Sequence, residues 1–281
     1  MQSPKYIPHS IKLIVLSSFV FLMTACQATD SASAPLTSES TEDSHILFED
    51  TMTENWEANW FVDGDLAVLE HQDGGLLFHS PTSGVSQKDK NKYREKFDAH
   101  HAVLWTHKEF AGDIRISYEF TRMETDWANL IYIQAQGIGK PPYDEDIYAW
   151  RELRGVSSMD KYFNYMNLLS LSLRDEIRCK RYPWSDVAKD YDYEDTLVKP
   201  MVDHEGLPDG KTYSVVIEKR KKSCLLQIRE QGRDEYIVNY TWDLSDPSRK
   251  RKQPYVENGR IGFRQMGGNK VLYKNFKVEQ L

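Results

Sequence analysis

From Asp113 to Arg122 polar and apolar residues alternate: Ile114, Ile116, Tyr118 and Phe120 against Arg115, Ser117, Glu119 and Thr121. A period of two belongs to a strand with one buried face and one wet face, whereas an amphipathic helix repeats at three or four. Other strand candidates are Gly75 to Ser80, His101 to Phe110, Asn129 to Gln136, Met166 to Arg174, Thr212 to Arg220, Cys224 to Glu230, Tyr236 to Trp242, Arg260 to Met266 and Val271 to Glu279. Turn formers such as Asp73-Gly74-Gly75, Asp209-Gly210, Asn258-Gly259 and Gly267-Gly268-Asn269 separate several of these runs. No segment sustains three turns of amphipathic helix. Many short strands with such punctuation predict an all-β chain folded as a two-sheet antiparallel sandwich of jelly-roll type. Two stretches without alternation, Lys140 to Tyr162 and Pro183 to Gly210, are expected to be long loops.

The first 45 residues differ in kind. Lys5 and Lys12 precede an apolar run from Leu13 to Met23, the length of a signal-peptide core and too short to span a bilayer as a helix. The run ends in Leu22-Met23-Thr24-Ala25-Cys26, which resembles the bacterial lipobox. That resemblance implies a lipoprotein signal over 1–25 and acylation at Cys26. Gln27 in place of aspartate implies outer-membrane sorting, on the cell surface or the periplasmic side. Residues 26–45, rich in Ser, Thr, Ala and acid, have little to bury and read as a flexible tether. Residues 46–281 are expected to form a single domain.

The formal net charge of −7, with no concentrated basic run beyond Lys219 to Lys222 and Ser248 to Lys252, argues against a nucleic-acid partner. With Cys26 acylated, Cys179 and Cys224 remain, either paired in an oxidising compartment or as two buried thiols. No zinc, phosphate-loop or Ser-His-Asp pattern is present, so no cofactor is expected. The acidic runs Asp144-Glu145-Asp146 and Asp190 to Asp195 lack EF-hand spacing but are compatible with a structural calcium.

The segments HAVLW at His101 to Trp105, FAGDIRISYEF at Phe110 to Phe120 and GRIGFRQMGGNKVLYKNFKV at Gly259 to Val278 together resemble the YesU-like family of bacterial concanavalin A-like jelly rolls, a domain of unknown function. The resemblance implies that fold and a setting among genes for breaking down acidic polysaccharides. A local stretch, Trp150-Arg151-Glu152-Leu153-Arg154, is similar to a motif of jelly-roll alginate lyases, although in those the arginine strand comes before a Gln-x-His motif. Here the nearest analogue, Tyr132-Ile133-Gln134, comes first and has no histidine.

In such sandwiches the residues opposite the core on the middle strands line a concave face. Alternation assigns Ile131, Ile133 and Ala135 to the core, leaving Tyr132, Gln134 and Gln136 on the concave side. In the next strand Leu169, Leu171 and Leu173 suit the core, with Ser170, Ser172 and Arg174 opposite. His101, Val103, Trp105 and His107 share one face.

Cleavage of a uronate polymer by β-elimination needs a group to neutralise the C6 carboxylate, a base for the C5 proton and an acid for the departing oxygen. His101, Tyr132, Tyr165 and Arg174 are the catalytic candidates. Gln134, Gln136, Arg151, Arg154, Ser172, Arg178 and Trp105 are the substrate-binding candidates. These residues suggest a lyase acting on an acidic polysaccharide or oligosaccharide, monomeric and held to the membrane through its lipid. Two alternatives stand beside it. One is a non-catalytic surface glycan-binding lipoprotein using Tyr143, Tyr148, Trp150, Tyr182 and Trp184 as stacking platforms. The other is a glycoside hydrolase, although the Glu-x-Asp-x-x-Glu pattern of jelly-roll glucanases is absent.

Overall fold

A computed structural model describes residues 45–79, 101–124, 128–157, 159–183, 196–245, 253–266 and 268–281. The leader, the tether and Cys26 lie outside these, as do Trp184 and the acidic run Asp190 to Asp195.

The strands are β1 (Ile46–Asp50), β2 (Trp60–Asp63), β3 (Val68–Gln72), β4 (Gly75–His79), β5 (Ala102–Ala111), β6 (Ile114–Glu124), β7 (Asn129–Gly137), β8 (Met166–Leu173), β9 (Glu176–Tyr182), β10 (Leu197–Asp203), β11 (Thr212–Arg220), β12 (Ser223–Glu230), β13 (Tyr236–Asp243), β14 (Asn258–Gln265) and β15 (Lys270–Gln280). They form two antiparallel sheets. The first runs β13-β12-β11-β6-β15-β4-β3, and the second runs β10-β9-β8-β7-β14-β5-β2. β1 joins the first sheet on the same edge of β15 as β4: β4 takes Lys270 to Tyr273 and β1 takes Phe276 to Glu279. The change of partner falls at Asn275, whose φ of 52° lies in the left-handed region that Asn tolerates.

The alternation explains the packing. Ile114, Ile116, Tyr118 and Phe120 of β6 and Val215 and Ile217 of β11 face Leu104, Ile131, Ile133, Leu169, Leu171 and Phe263 of the other sheet, all buried in one cluster. Aromatic contacts tie the layers: Phe263 stacks on Tyr273 at 4.1 Å, and Trp60 meets Phe276 edge-on at 4.9 Å. Each such side chain contributes about 1.5–3 kcal/mol by leaving water. Cys179 and Cys224 belong to this core as buried thiols that are not joined in a disulfide.

The two expected loops contain structure. Residues 147–154 form a 3-10 segment and Met159–Tyr165 the helix α1, so Lys140 to Tyr162 is a folded cover. The Asp146 carboxylate accepts from the Tyr148 backbone N–H at 2.9 Å and starts the 3-10 segment. The cover puts Ile147, Trp150 and Tyr162 onto the outer face of the second sheet, against Phe61, Val103, Trp105, Leu130, Tyr132 and Leu168. This second apolar layer is why no clean helical stripe shows in the sequence: the segment is short, kinked at Trp150 and anchored by few apolar residues. The other expected loop contains β10, which pairs with β9 in an irregular register between Val198 and Val202.

Candidate functional site

The outer face of the second sheet gathers charge. Register sets Phe61, Trp105, Gly262, Tyr132, Ser170 and Lys180 in one rung across β2, β5, β14, β7, β8 and β9. The neighbouring rung is Asp63, Val103, Arg264, Leu130, Ser172 and Arg178. The sequence explains the middle of this face: in Arg260-Ile261-Gly262-Phe263-Arg264 the apolar residues point into the core and the two arginines and the glycine point out.

Gly262 matters by what it lacks. A Cβ there would sit 2.3 Å from Trp105 Cε3, so only a glycine lets the indole lie over the strand. Trp105 then stacks on Tyr132 across β14 at 5.6 Å, and Tyr132 stacks on Tyr162 of the cover at 6.0 Å.

Two charges sit in this aromatic box. One oxygen of Asp63, Oδ2, accepts from Trp105 Nε1 at 2.6 Å, Arg154 Nε at 2.6 Å and Tyr162 OH at 3.0 Å. Its other oxygen has no hydrogen-bond partner among the described residues. Burial pushes the Asp63 carboxyl up, opposed by Arg154 and by the bonds from Arg154, Trp105 and Tyr162. Arg154 also donates to the Ile147 carbonyl at 2.8 Å and lies over the Trp150 ring at 4.2 Å, so the ion pair pins the 3-10 segment to β2.

The second charge is Arg264. It donates to Tyr132 OH at 3.2 Å, to His101 Nδ1 at 3.0 Å and to the Ser157 carbonyl at 3.5 Å, and it lies over the Tyr162 ring at 4.9 Å. A guanidinium only donates, so Nδ1 of His101 must be the accepting, unprotonated nitrogen. Its backbone carbonyl takes the Ser157 hydroxyl. Burial raises the Tyr132 hydroxyl, with Arg264 pulling the other way, and it raises Tyr162 further, with Asp63 adding to the effect. Both phenols are therefore held protonated.

Of the catalytic candidates, His101 and Tyr132 meet at Arg264. Tyr165 stands apart, stacked on Tyr143 at 3.7 Å at the far end of the cover. Arg174 occupies the β8–β9 turn, 48% exposed beside Asp175. Trp105 lies in the box and Arg154 reaches Asp63 from the cover, while Ser172 and Arg178 are on the rung of Arg264. Arg151 is on the exposed side of the 3-10 segment, over the Tyr148 ring at 4.3 Å and paired with Glu152 at 3.1 Å.

Gln134 corrects the alternation. Its φ of 50° and the register shift between Ile133 and Gln136 form a bulge, which turns its amide to donate to the carbonyls of Phe110 and Gly112, both at 3.0 Å. Beyond the bulge the faces exchange, and Ala135 joins the outer layer rather than the core. Gln136, half-buried, follows at the end of β7 opposite Asn167.

The sequence reading missed Arg264, Asp63 and Tyr162. Arg264 could have been found by extending alternation through Gly259 to Met266, and Asp63 by treating Trp60-Phe61-Val62-Asp63 as a strand. Tyr162 carried no local signal, because its place depends on how the cover folds. Among the described residues no group of three or more His, Cys, Asp or Glu is placed to hold a metal ion.

No protein-family model matches the sequence, nor does any curated protein sequence. Solved structures do resemble it. A Bacillus subtilis protein of unknown function with a galectin-like fold superposes with a TM-score of 0.57 at 18% identity, over 84% of this chain and 96% of that one. The VIP36 exoplasmic/lumenal domain in its Ca2+/Man2-bound form superposes with a TM-score of 0.50 at 11% identity, over 85% of this chain and 87% of that one. The fold is a galectin-like jelly roll. At these identities the likeness speaks to architecture alone.

Proposed function

We propose that this protein is a polysaccharide lyase of the outer membrane, lipid-anchored through Cys26, that cleaves a uronate-containing polysaccharide or oligosaccharide by β-elimination at the outer face of the second sheet. The observation that supports this most is the convergence of one guanidinium, one imidazole and two phenols: Arg264 bonds His101 and Tyr132 directly and underlies Tyr162. Elimination uses these three kinds of group. Arg264 would pair with the C6 carboxylate and make the C5 proton acidic. A carboxylate that takes the guanidinium frees His101 Nδ1 from its bond, and this nitrogen would accept the C5 proton. The C5–H electrons form the C4–C5 double bond, the C4–O bond breaks, and a protonated phenol, Tyr132 or Tyr162, supplies the proton to the departing oxygen. The sugar held on the same fold by the VIP36 domain supports a glycan as ligand.

A second reading, a binding protein without catalysis, is favoured by the enclosure of the cluster: His101 is 2% exposed, and Tyr132 and Arg264 are 0% exposed. One experiment separates the two. The protein without its leader is incubated with alginate, ulvan, pectin and glycosaminoglycans, and the ultraviolet absorbance of the unsaturated uronate product is followed. The lyase reading expects a rise that falls about 10²–10⁴-fold in His101→Ala and in one of Tyr132→Phe and Tyr162→Phe, the one that removes the acid. No rise on any polymer, with retarded migration in a gel containing one of them, leaves the binding protein.

A further inference from the structure

Resting on the reading of a glycan ligand, we propose that the edge of the sandwich formed by β10 and β13 carries a second glycan site, shaped for an uncharged sugar and separate from the box at Arg264. The two edge strands meet there, with Trp242 of β13 donating to the Pro200 carbonyl of β10 at 2.8 Å. Near the start of β13 an open cleft of about 580 Å³, a size common among small-molecule sites, is walled by Glu205, Arg233, Glu235, Tyr236 and Ile237. In the order of the second sheet β10 is four strands from β14, about 19 Å at ordinary strand spacing, so a sugar in the cleft does not compete with one at Arg264.

The fold presets the walls. Glu205 follows β10 in a turn held by the His204 ring, whose Nδ1 accepts from the Gly206 backbone N–H at 3.0 Å; Nε2 therefore carries the proton and donates to the Arg174 carbonyl. Arg233 closes the β12–β13 turn through its backbone N–H to the Glu230 carbonyl at 3.1 Å, after Gly232 at a φ of 84°. Tyr236 enters β13 at a bulge: Arg229 pairs with Tyr236 and Ile228 with Val238, which leaves Ile237 as the extra residue. The Arg229 guanidinium lies 4.4 Å from the centre of the Tyr236 ring and braces one face, while the ring remains 45% exposed.

These groups have bonding capacity to offer. Arg233 stands 3.8 Å from Glu205 and 3.3 Å from Glu230, both longer than the roughly 2.7–2.9 Å of a charge-assisted hydrogen bond, so its donors remain available. Glu235 is exposed and enters no ion pair or hydrogen bond among the described residues. A guanidinium only donates and a carboxylate only accepts, so together they match sugar hydroxyls, which do both, and the Tyr236 ring supplies a flat apolar surface for the C–H face of a pyranose. Two carboxylates against one guanidinium leave the walls net negative, which repels a uronate or a sulfate ester and selects an uncharged sugar.

The test is calorimetric titration of the protein without its leader with hexasaccharides of mannose, galactose, glucose and xylose, and with a hexauronate from alginate. Wild type is expected to bind at least one uncharged hexasaccharide with an affinity insensitive to salt. Tyr236→Ala should weaken that binding about three- to tenfold and Glu205→Ala/Glu235→Ala about tenfold or more, whereas Tyr236→Phe, which keeps the ring, should bind as wild type. Thermal unfolding should be unchanged in all three, because the side chains are exposed. Wild type that binds none of the uncharged hexasaccharides, or binds one equally well in Tyr236→Ala and in the double variant, overturns the site. Binding of the hexauronate in the same series keeps the glycan reading standing when the cleft fails, and wild type that binds none of the five sugars counts against both.

Discussion

Gly262→Ala perturbs the outer face by a single methyl. The added carbon would lie 2.3 Å from Trp105 Cε3 and 2.6 Å from Cζ3, far inside contact distance. The indole has little room to yield, because its Nε1 is held by Asp63 at 2.6 Å and its ring rests on Tyr132. Overpacking of this kind costs about 1–3 kcal/mol, and loss of the aromatic stack adds about 0.5–1.5 kcal/mol. For a unit of this size each kcal/mol lowers Tm by about 2–4 °C, so a fall of roughly 3–18 °C is expected. Thermal unfolding followed by circular dichroism measures it, and the near-ultraviolet signal of the Trp105–Tyr132 pair should weaken in the native state. The decisive comparison is the same change in a Trp105→Leu background. With the indole gone the methyl meets open space, and replacing a strand glycine by alanine becomes neutral or favourable by about 0.5–1 kcal/mol. An equal cost in both backgrounds would refute the reasoning.

Asp63→Ala strands the buried Arg154 guanidinium and is expected to destabilise by about 3–5 kcal/mol in urea unfolding; adding Arg154→Met should recover a large part of that loss. Lys219 is buried with its ammonium on the Val256 carbonyl, and burial lowers its pKa from 10.5 to about 8. The fold therefore prefers the uncharged amine: its contribution is fully present above pH 10.5 and is lost as pH falls to about 8. Relative to Lys219→Met, wild type should gain up to about 3 kcal/mol between these pH values, and a flat difference would contradict this assignment. Cys179 and Cys224 should react with a thiol reagent only on unfolding, and prompt labelling of native protein would show that the interior opens locally.

Much of the architecture was legible because β structure with one buried face writes its period into the sequence. β6 and β8 read directly, as did the shared face of His101, Val103 and Trp105 on β5, though not which side of the sheet that face takes. What escaped has physical causes. β2 and β10 are short or irregular edge strands with too few residues to establish a period. Gln134 obeys alternation in the sequence and breaks it in space, since a left-handed residue shifts everything after it by one. Asp63, Arg154 and Tyr162 are brought together across 91 and 99 positions of chain, and no local pattern encodes such a meeting. Arg174 continues the alternation of β8 in the sequence, but the strand ends at Leu173 and the chain has already turned; Tyr165, picked by residue type, precedes the strand.

β14, which carries Arg264, is hydrogen-bonded on both sides, to β5 and β7, at the centre of its sheet. Its amides should therefore exchange with solvent only when the entire domain unfolds. The backbone of the cover meets its surroundings through isolated bonds, such as Gly64 to the Arg154 carbonyl at 3.1 Å and Asp65 to the Gly155 carbonyl at 2.8 Å, and its hold rests on the apolar layer of Ile147, Trp150 and Tyr162 and on the Asp63–Arg154 and Asp146–Arg260 ion pairs. The two halves of the same box should thus exchange at different rates, the cover before the floor. The floor keeps its geometry for as long as the protein exists, and whatever reaches Arg264 depends on how often the cover lets go.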